Sequence, residues 1–277
     1  MPSEKRVVDA DGILVEKRAW QYRSDRRVLS KTVSDPSGVH AARSTFFAYC
    51  EQPDVDTGIC PRVGLLTSVD GPRSDVSDLT TYQYYAADHG DCATSPATCA
   101  WRKGDLWKVT DALGHVTETL RYDGAGRVLS VRDANDVVTD FEYHPRGWMT
   151  ARKVRGSDDN SEADDRITAI AYLPTGLVSS VTLPDGSFTS YVYDAAHRLT
   201  DIVDADGNRL HYTLDNAGNR IKEEVLGEND ALKRTLSRVY NQLGQLATQA
   251  DAGANPTDFT YDANGNLETV TDALSRV

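Results

Sequence analysis

The chain has 277 residues, 39% of them hydrophobic, enough to bury a core as one large domain or two smaller ones. Forty-two acidic against thirty basic side chains give a formal net charge of -12, with no segment that gathers Lys and Arg away from acids. That excludes the basic face on which non-specific nucleic-acid binding depends. Twenty glycines and thirteen tyrosines against two methionines favour strands and tight turns over long helices.

Residues 1–19, within "MPSEKRVVDADGILVEKRAW", are poorly patterned and contain no apolar run that would make a signal-peptide core. Nowhere in the chain is there the run of about eighteen apolar residues that a membrane-spanning helix needs.

Residues 20–103 carry a faint repeat, in "RVLSKTVSDPSGVHAARSTFFAY" from Arg27 to Tyr49 and in "GLLTSVDG" from Gly64 to Gly71. Two cysteine pairs fall between such pieces: Cys50 and Cys60 bracket "EQPDVDTGI", and Cys92 and Cys99 bracket "ATSPAT". Both stretches are short, polar and rich in turn formers, so the expected reading is two local disulfides, each stabilising by about 2 to 3 kcal/mol. Unpaired cysteines are the alternative. Zinc fits poorly, because structural zinc pairs are spaced by about two to four residues. Disulfides belong to an oxidising compartment. Together with the missing export signal, they lead us to expect a piece of something longer.

Residues 104–277 repeat clearly, beginning with "GDLWKVTDALGHVTETLRY". Tyr122 to Tyr143, Tyr172 to Tyr193 and Tyr240 to Tyr261 are each 21 residues, and Leu214 takes the slot 21 after Tyr193. The step from Tyr143 to Tyr172 is 29, its excess coinciding with "SDDNSEADD". Four residues after the aromatic comes Gly126, Gly147, Gly176, Gly218, Gly244 or Gly265, with His197 the exception. Eleven after it stands Asp133, Asp204, Asp251 or Asp272, and fourteen after it Gly186 or Gly207. These residues mark two turns per unit, since Asp, Asn and Gly accept the reversals and positive φ that turns demand.

Between the turns the residues alternate. In "VVTDFEY", Val137, Thr139, Phe141 and Tyr143 share one face and Val138, Asp140 and Glu142 the other, as in a half-buried strand. The arm after the first turn alternates less well. Val128 and Val131, or Leu199 and Ile202, are three apart, which a bulge or apolar surroundings on both faces would explain. "ALKRTLSRVYNQL" has helix-like spacing, but Tyr240 and Gly244 keep it in the strand register. A hairpin of this size cannot bury enough apolar area alone, so each unit must pair with its neighbours.

"YDGAGRV", "YDAAHRL" and "YDANGNL", with "DALGHVT" and "DADGNRL", resemble the tyrosine-aspartate (YD) repeat of the RHS (rearrangement hot spot) family. The resemblance implies an all-β fold of repeated hairpins, forming a curved, spiralling sheet that makes part of a hollow shell. In that family, shells of secreted bacterial toxins enclose the C-terminal part of their own chain, often a toxin, and related shells stand on animal cell surfaces. The implied partners are the remaining repeats and a C-terminal effector of a longer protein, secreted or at the cell surface. The family's aspartate-proline-glycine region, linked to self-cleavage, is not matched: "YLPTGLV" at 172–178 lacks the aspartate, so no self-cleavage is assigned.

The residues offer little chemistry. His115, His197 and His211 lie at repeat turns or on strands, His144 follows a repeat tyrosine, and His40 and His89 lie in poorly matched segments; none has a second His at metal-ligand spacing. Nucleophile elbow, phosphate loop and dinucleotide fingerprint are missing. "DADGN" at 204–208 and the acids from Asp158 to Asp165 could offer oxygens to calcium, but without the pattern of an EF-hand loop. Tyr122, Tyr143, Tyr172, Tyr193, Tyr240 and Tyr261 could line a sugar-binding groove; the stronger expectation is stacking between hairpins, contributing about 0.5 to 1.5 kcal/mol per pair. The expected protein is a non-enzymatic shell segment without cofactors, and the alternative is a cell-surface adhesion or carbohydrate-binding repeat module.

Overall fold

A computed structural model of the protein describes residues 3–8, 12–157 and 161–277. Asp158 and Asp159, in the acid run, lie outside them. The described residues form twenty-one strands and one short α-helix, α1 (Gln52–Asp56), inside the Cys50 to Cys60 insertion. No helix among them is long and apolar enough to cross a membrane.

Contacts divide the chain into two compact units, residues 1–141 and 142–277. The first holds β1 (Glu4–Val8), β2 (Leu14–Tyr22), β3 (Val28–Ser34), β4 (Arg43–Tyr49), β5 (Leu66–Asp70), β6 (Leu79–Tyr84), β7 (Leu106–Thr110), β8 (Val116–Tyr122), β9 (Val128–Arg132) and most of β10 (Val138–Tyr143). Every strand pairs antiparallel with the next, from β1–β2 to β9–β10. β2 starts at Leu14, inside the stretch that looks unpatterned in sequence.

The second unit repeats the arrangement. It holds β11 (Met149–Val154), β12 (Arg166–Tyr172), β13 (Val178–Thr182), β14 (Phe188–Tyr193), β15 (Leu199–Asp204), β16 (Arg209–Leu214), β17 (Arg220–Leu226), β18 (Leu232–Tyr240), β19 (Leu246–Ala250), β20 (Pro256–Tyr261) and β21 (Leu267–Thr271). Each again pairs antiparallel with its successor. β18 covers the segment of helix-like spacing, because pairing with β17 and β19 outweighs a weak local periodicity.

A bulge follows the first turn of unit after unit. Tyr193 faces Leu199 while Val192 faces Asp201, which leaves Thr200 as the extra residue. The same skip occurs at Tyr172 and Val178, Leu214 and Arg220, Tyr240 and Leu246, and Tyr261 and Leu267. It settles the three-residue spacing of Leu199 and Ile202: Ile202 pairs with Tyr191, so one extra residue brings the two apolar side chains to the same face.

One recurrent buried position lies just past the bulge. Ser30, Ser130 and Asp201 are among the most buried residues. Each pairs on both sides, Ser30 with Gln21 and Phe46, Ser130 with Arg121 and Asp140, and Asp201 with Val192 and His211. Cross-strand pairs, rather than a thick apolar core, supply the packing.

Candidate functional site

Except at Leu214, which ends β16, the ladder slot that closes each repeat's first strand is a tyrosine, and in seven units its hydroxyl has one job. It donates to a main-chain carbonyl of the preceding arm: Tyr49 to Val28 (3.0 Å), Tyr84 to Leu66 (2.7 Å), Tyr122 to Leu106 (2.6 Å), Tyr172 to Met149 (2.7 Å), Tyr193 to Val178 (2.9 Å), Tyr240 to Arg220 (3.4 Å) and Tyr261 to Leu246 (3.0 Å). The acceptor always lies just beyond the end of a ladder. Val178 stands two residues before Ser180, whose pairing with Ser190 is the last between β13 and β14. There the strands part, and the phenol supplies the donor that the sheet no longer provides. Burial pushes the Tyr122 phenol up in pKa and so keeps its proton in place.

Tyr143 ends β10 and is half-buried. Ring contact does reach the ladder at Tyr172, whose ring lies 5.3 Å from Trp148. The link that recurs, however, is hydroxyl to carbonyl, where stacking of successive tyrosines was the sequence expectation.

The turn after the tyrosine explains the residues next to it. The Asp194 N–H donates to the Arg198 carbonyl and the His197 N–H to the Asp194 carbonyl, both at 2.9 Å, closing a three-residue hairpin loop. Asp194 Oδ1 accepts the Ala196 and Arg198 N–H groups at 2.9 Å each, and Oδ2 accepts Arg198 Nε at 2.7 Å. Asp123, Asp215 and Asp262 repeat this role, Asn241 performs it as an amide, and His144 performs it through Nδ1, which accepts the Arg146 N–H at 3.1 Å. The aspartate of the YD pair is therefore a turn lock. The sequence marks this aspartate as a turn former, and the structure adds the hydrogen bonds by which its carboxylate closes the loop.

The fourth residue of each turn is left-handed. Gly126, Gly147, Gly176, Gly218, Gly244 and Gly265 have φ between 75 and 94°, and His197 has φ 62°. At Gly176 space is a second constraint, since a β-carbon there would lie 2.6 Å from Trp148 Cζ2 of the preceding turn. Arg198 likewise reaches forward, its Nη1 donating to the Asp215 carbonyl at 2.8 Å. Turn is thus tied to turn along the rim.

The remaining histidines are engaged locally. His115 Nδ1 lies 3.0 Å from Asp111 Oδ2, and His211 Nδ1 lies 2.7 Å from Asp201 Oδ1 on the neighbouring strand. The His40 N–H donates to Asp35 at 3.3 Å, and the His89 ring meets Trp101 edge-on. In the calcium candidate, Asp204 caps its own turn, accepting the Asp206 and Asn208 N–H groups at 3.0 and 2.8 Å. Asp164 accepts the Ser157 N–H at 2.7 Å, and Asp165 pairs with Arg155 at 2.9 Å.

Cys50 is bridged to Cys60 and Cys92 to Cys99, with Cα separations of 6.2 and 4.7 Å. Asp54 comes close to the first pair in a cluster of metal-ligand type, but bridged sulfurs are not the thiolates a metal would need. Both bridges stand in first-turn insertions. Cys50 takes the turn position of Asp123, its N–H donating to the Leu65 carbonyl at 2.8 Å and its carbonyl accepting the Gly64 N–H at 2.8 Å.

Comparison with known proteins agrees with this register. Over 161 residues, 58% of this chain, the sequence is 31% identical to the double-stranded DNA deaminase toxin A of Burkholderia cenocepacia, and it spans 10% of that protein's length. The crystal structure of TcdB2-TccC3 matches 97% of this chain with a TM-score of 0.59 at 14% identity, and the chain spans 15% of it. TcdB2-TccC3 without its hypervariable C-terminal region matches with a TM-score of 0.56. At that identity what is shared is the fold. The RHS Repeat model matches residues 101–135, 122–157, 172–209, 193–227 and 240–277, together more than half of the chain, and in the same tyrosine register. By that match the chain belongs to the RHS repeat family.

Proposed function

We propose that this chain is a non-enzymatic stretch of shell wall in a longer RHS protein, which encloses or presents a C-terminal toxin or effector outside the producing cell. The observation that carries this reading is the tyrosine clamp. Seven hydroxyls are spent on carbonyls of the preceding arm, where the ladder ends. Such clamps close gaps that would otherwise admit water and proteases between hairpins. The mechanism is steric, and the chemistry belongs to the enclosed segment.

Two comparisons support the reading. One relative is a toxin of which this chain spans 10%, and the fold is shared with TcdB2-TccC3 across 97% of the chain. The test uses the longer protein encoded at the source locus, digested briefly with a broad-specificity protease. The C-terminal segment should survive in the intact protein and be degraded once Tyr193→Ala and Tyr261→Ala open the clamps. If the segment is digested equally fast in both, enclosure is wrong.

A further inference from the structure

The insertion between Tyr85 and Gly104 folds back as a strap over the next repeat. Tyr85 holds the turn position that Asp123 holds one unit later: its N–H donates to the Asp105 carbonyl and its carbonyl accepts the Gly104 N–H, both at 2.9 Å. The Trp101 ring stacks on Tyr85, with centroids 4.2 Å apart and planes inclined by 9°, and the Tyr85 hydroxyl donates to the Thr119 carbonyl at 2.7 Å. Beside Trp101, the Ala100 carbonyl accepts the N–H of Tyr122 at 2.7 Å. The strap thus completes the backbone hydrogen bonding of a ladder tyrosine. The Cys92–Cys99 bridge closes it immediately before Ala100.

The two bridges differ in access. Cys50 is 0% and Cys60 6% exposed, so that bridge is almost wholly covered in the folded protein. Cys99 is 1% exposed, but Cys92 is only half-buried. Thiol–disulfide exchange needs a thiolate to reach one sulfur, and access then decides which bridge opens and which sulfur is struck.

We infer that Cys92–Cys99 is a reducible clasp on the strap, opened by a small-molecule thiol of the glutathione class, whereas the covered Cys50–Cys60 bridge resists the same thiol. The thiolate attacks Cys92 Sγ, the sulfur–sulfur bond breaks, Cys99 leaves as a thiolate and a mixed disulfide remains on Cys92. A second thiolate attacks the small-molecule sulfur of that mixed disulfide, frees Cys92 and departs as the small-molecule disulfide. The two thiols supply two electrons, and their two protons end on Cys92 and Cys99. With the clasp open, the strap no longer holds Ala100 against Tyr122. An oxidising exterior keeps the strap closed and a reducing cytosol releases it.

The test exposes the oxidised full chain to reduced glutathione, traps free thiols by alkylation over time, and follows each cysteine by mass spectrometry and the Tyr122 amide by hydrogen exchange. Cys92–Cys99 should open at least about tenfold faster than Cys50–Cys60, with faster Tyr122 exchange in step. The Cys92→Ser/Cys99→Ser variant should show the faster exchange without any thiol. Equal opening rates, opening that leaves Tyr122 exchange unchanged, or a double variant that exchanges like the oxidised protein would each overturn the clasp.

Discussion

The Tyr193 hydroxyl meets the Val178 carbonyl at 2.9 Å, joining the end of one hairpin to the arm of the hairpin before it. Val178 also faces Tyr172 across the bulge, so consecutive ladder tyrosines share one backbone residue between them. The ladder is therefore a series of backbone clamps, each anchored where the previous one ends.

Removing only the oxygen isolates the clamp. Tyr193→Phe keeps the ring and leaves the Val178 carbonyl without its donor, which should lower stability by about 1 kcal/mol. Tyr193→Ala also removes a half-buried ring and should cost more, about 2 to 3 kcal/mol. Urea denaturation of the chain measures both. If the Phe variant is as stable as the parent, the hydroxyl contributes nothing and the ladder acts through its rings.

Gly176 is held by conformation and by space together. Its φ of 94° is left-handed, and its missing β-carbon makes room for Trp148 Cζ2. Gly176→Ala should lose about 1 to 2 kcal/mol from the left-handed conformation alone, with the clash in addition. Trp148→Ala removes the clash and not the strain. A double-mutant cycle should show the two substitutions compensating in part, and strict additivity would mean that Trp148 gives way freely.

The turn aspartates tie stability to acid. At Asp194, Asp251 and Asp272 the backbone N–H across the turn is the leading cause that holds the carboxyl below its ordinary pKa; at Asp204, Asp215 and Asp262 it is the amide of Asn208, Asn219 or Asn266. A folded pKa below the unfolded value of about 3.9 gives stability that is complete above that value and lost as pH falls through the lower one. The melting temperature should therefore hold from neutral pH to about 5 and decline below about 4. Asn241 shows that an amide accepts the same turn N–H groups, those of Leu243 and Gln245. Asp194→Asn with Asp262→Asn should fold and flatten the acid limb; an unchanged limb would place the acid-sensitive groups elsewhere.

The repeat was legible in sequence because its turns demand residue types. Glycine fits the left-handed fourth position, and Asp or Asn closes the loop before it, so both recur at a fixed distance from the tyrosine. Legibility failed where other residues fill the same geometry. Arg26 has φ 70° four residues after Tyr22, which makes Tyr22 a ladder position hidden in a stretch without glycine. Tyr84 was hidden in another way: its turn is split by the inserted strap, and its glycine slot, Gly104, lies twenty residues away. The bulge left only an indirect trace, the three-residue offset of Leu199 and Ile202. Contacts between turns, such as Trp148 on Gly176, left none, because nothing in a linear pattern says that one turn leans on the next.

His197 is where sequence pattern and backbone disagree most plainly, and the disagreement can be measured. It occupies the glycine position with φ 62°, and its N–H still donates to the Asp194 carbonyl at 2.9 Å, so the backbone bends like its neighbours and carries the strain of a side chain. His197→Gly removes a left-handed penalty of roughly 1 kcal/mol and gives back part of it as chain entropy in the unfolded state. The net expectation is a gain of about 0.5 kcal/mol. His197→Ala keeps a β-carbon in the same conformation and should gain nothing. If both variants stabilise alike, the imidazole rather than the backbone is the source of the strain. If the Gly variant is the less stable, the ring makes a contact on the rim that outweighs the left-handed penalty.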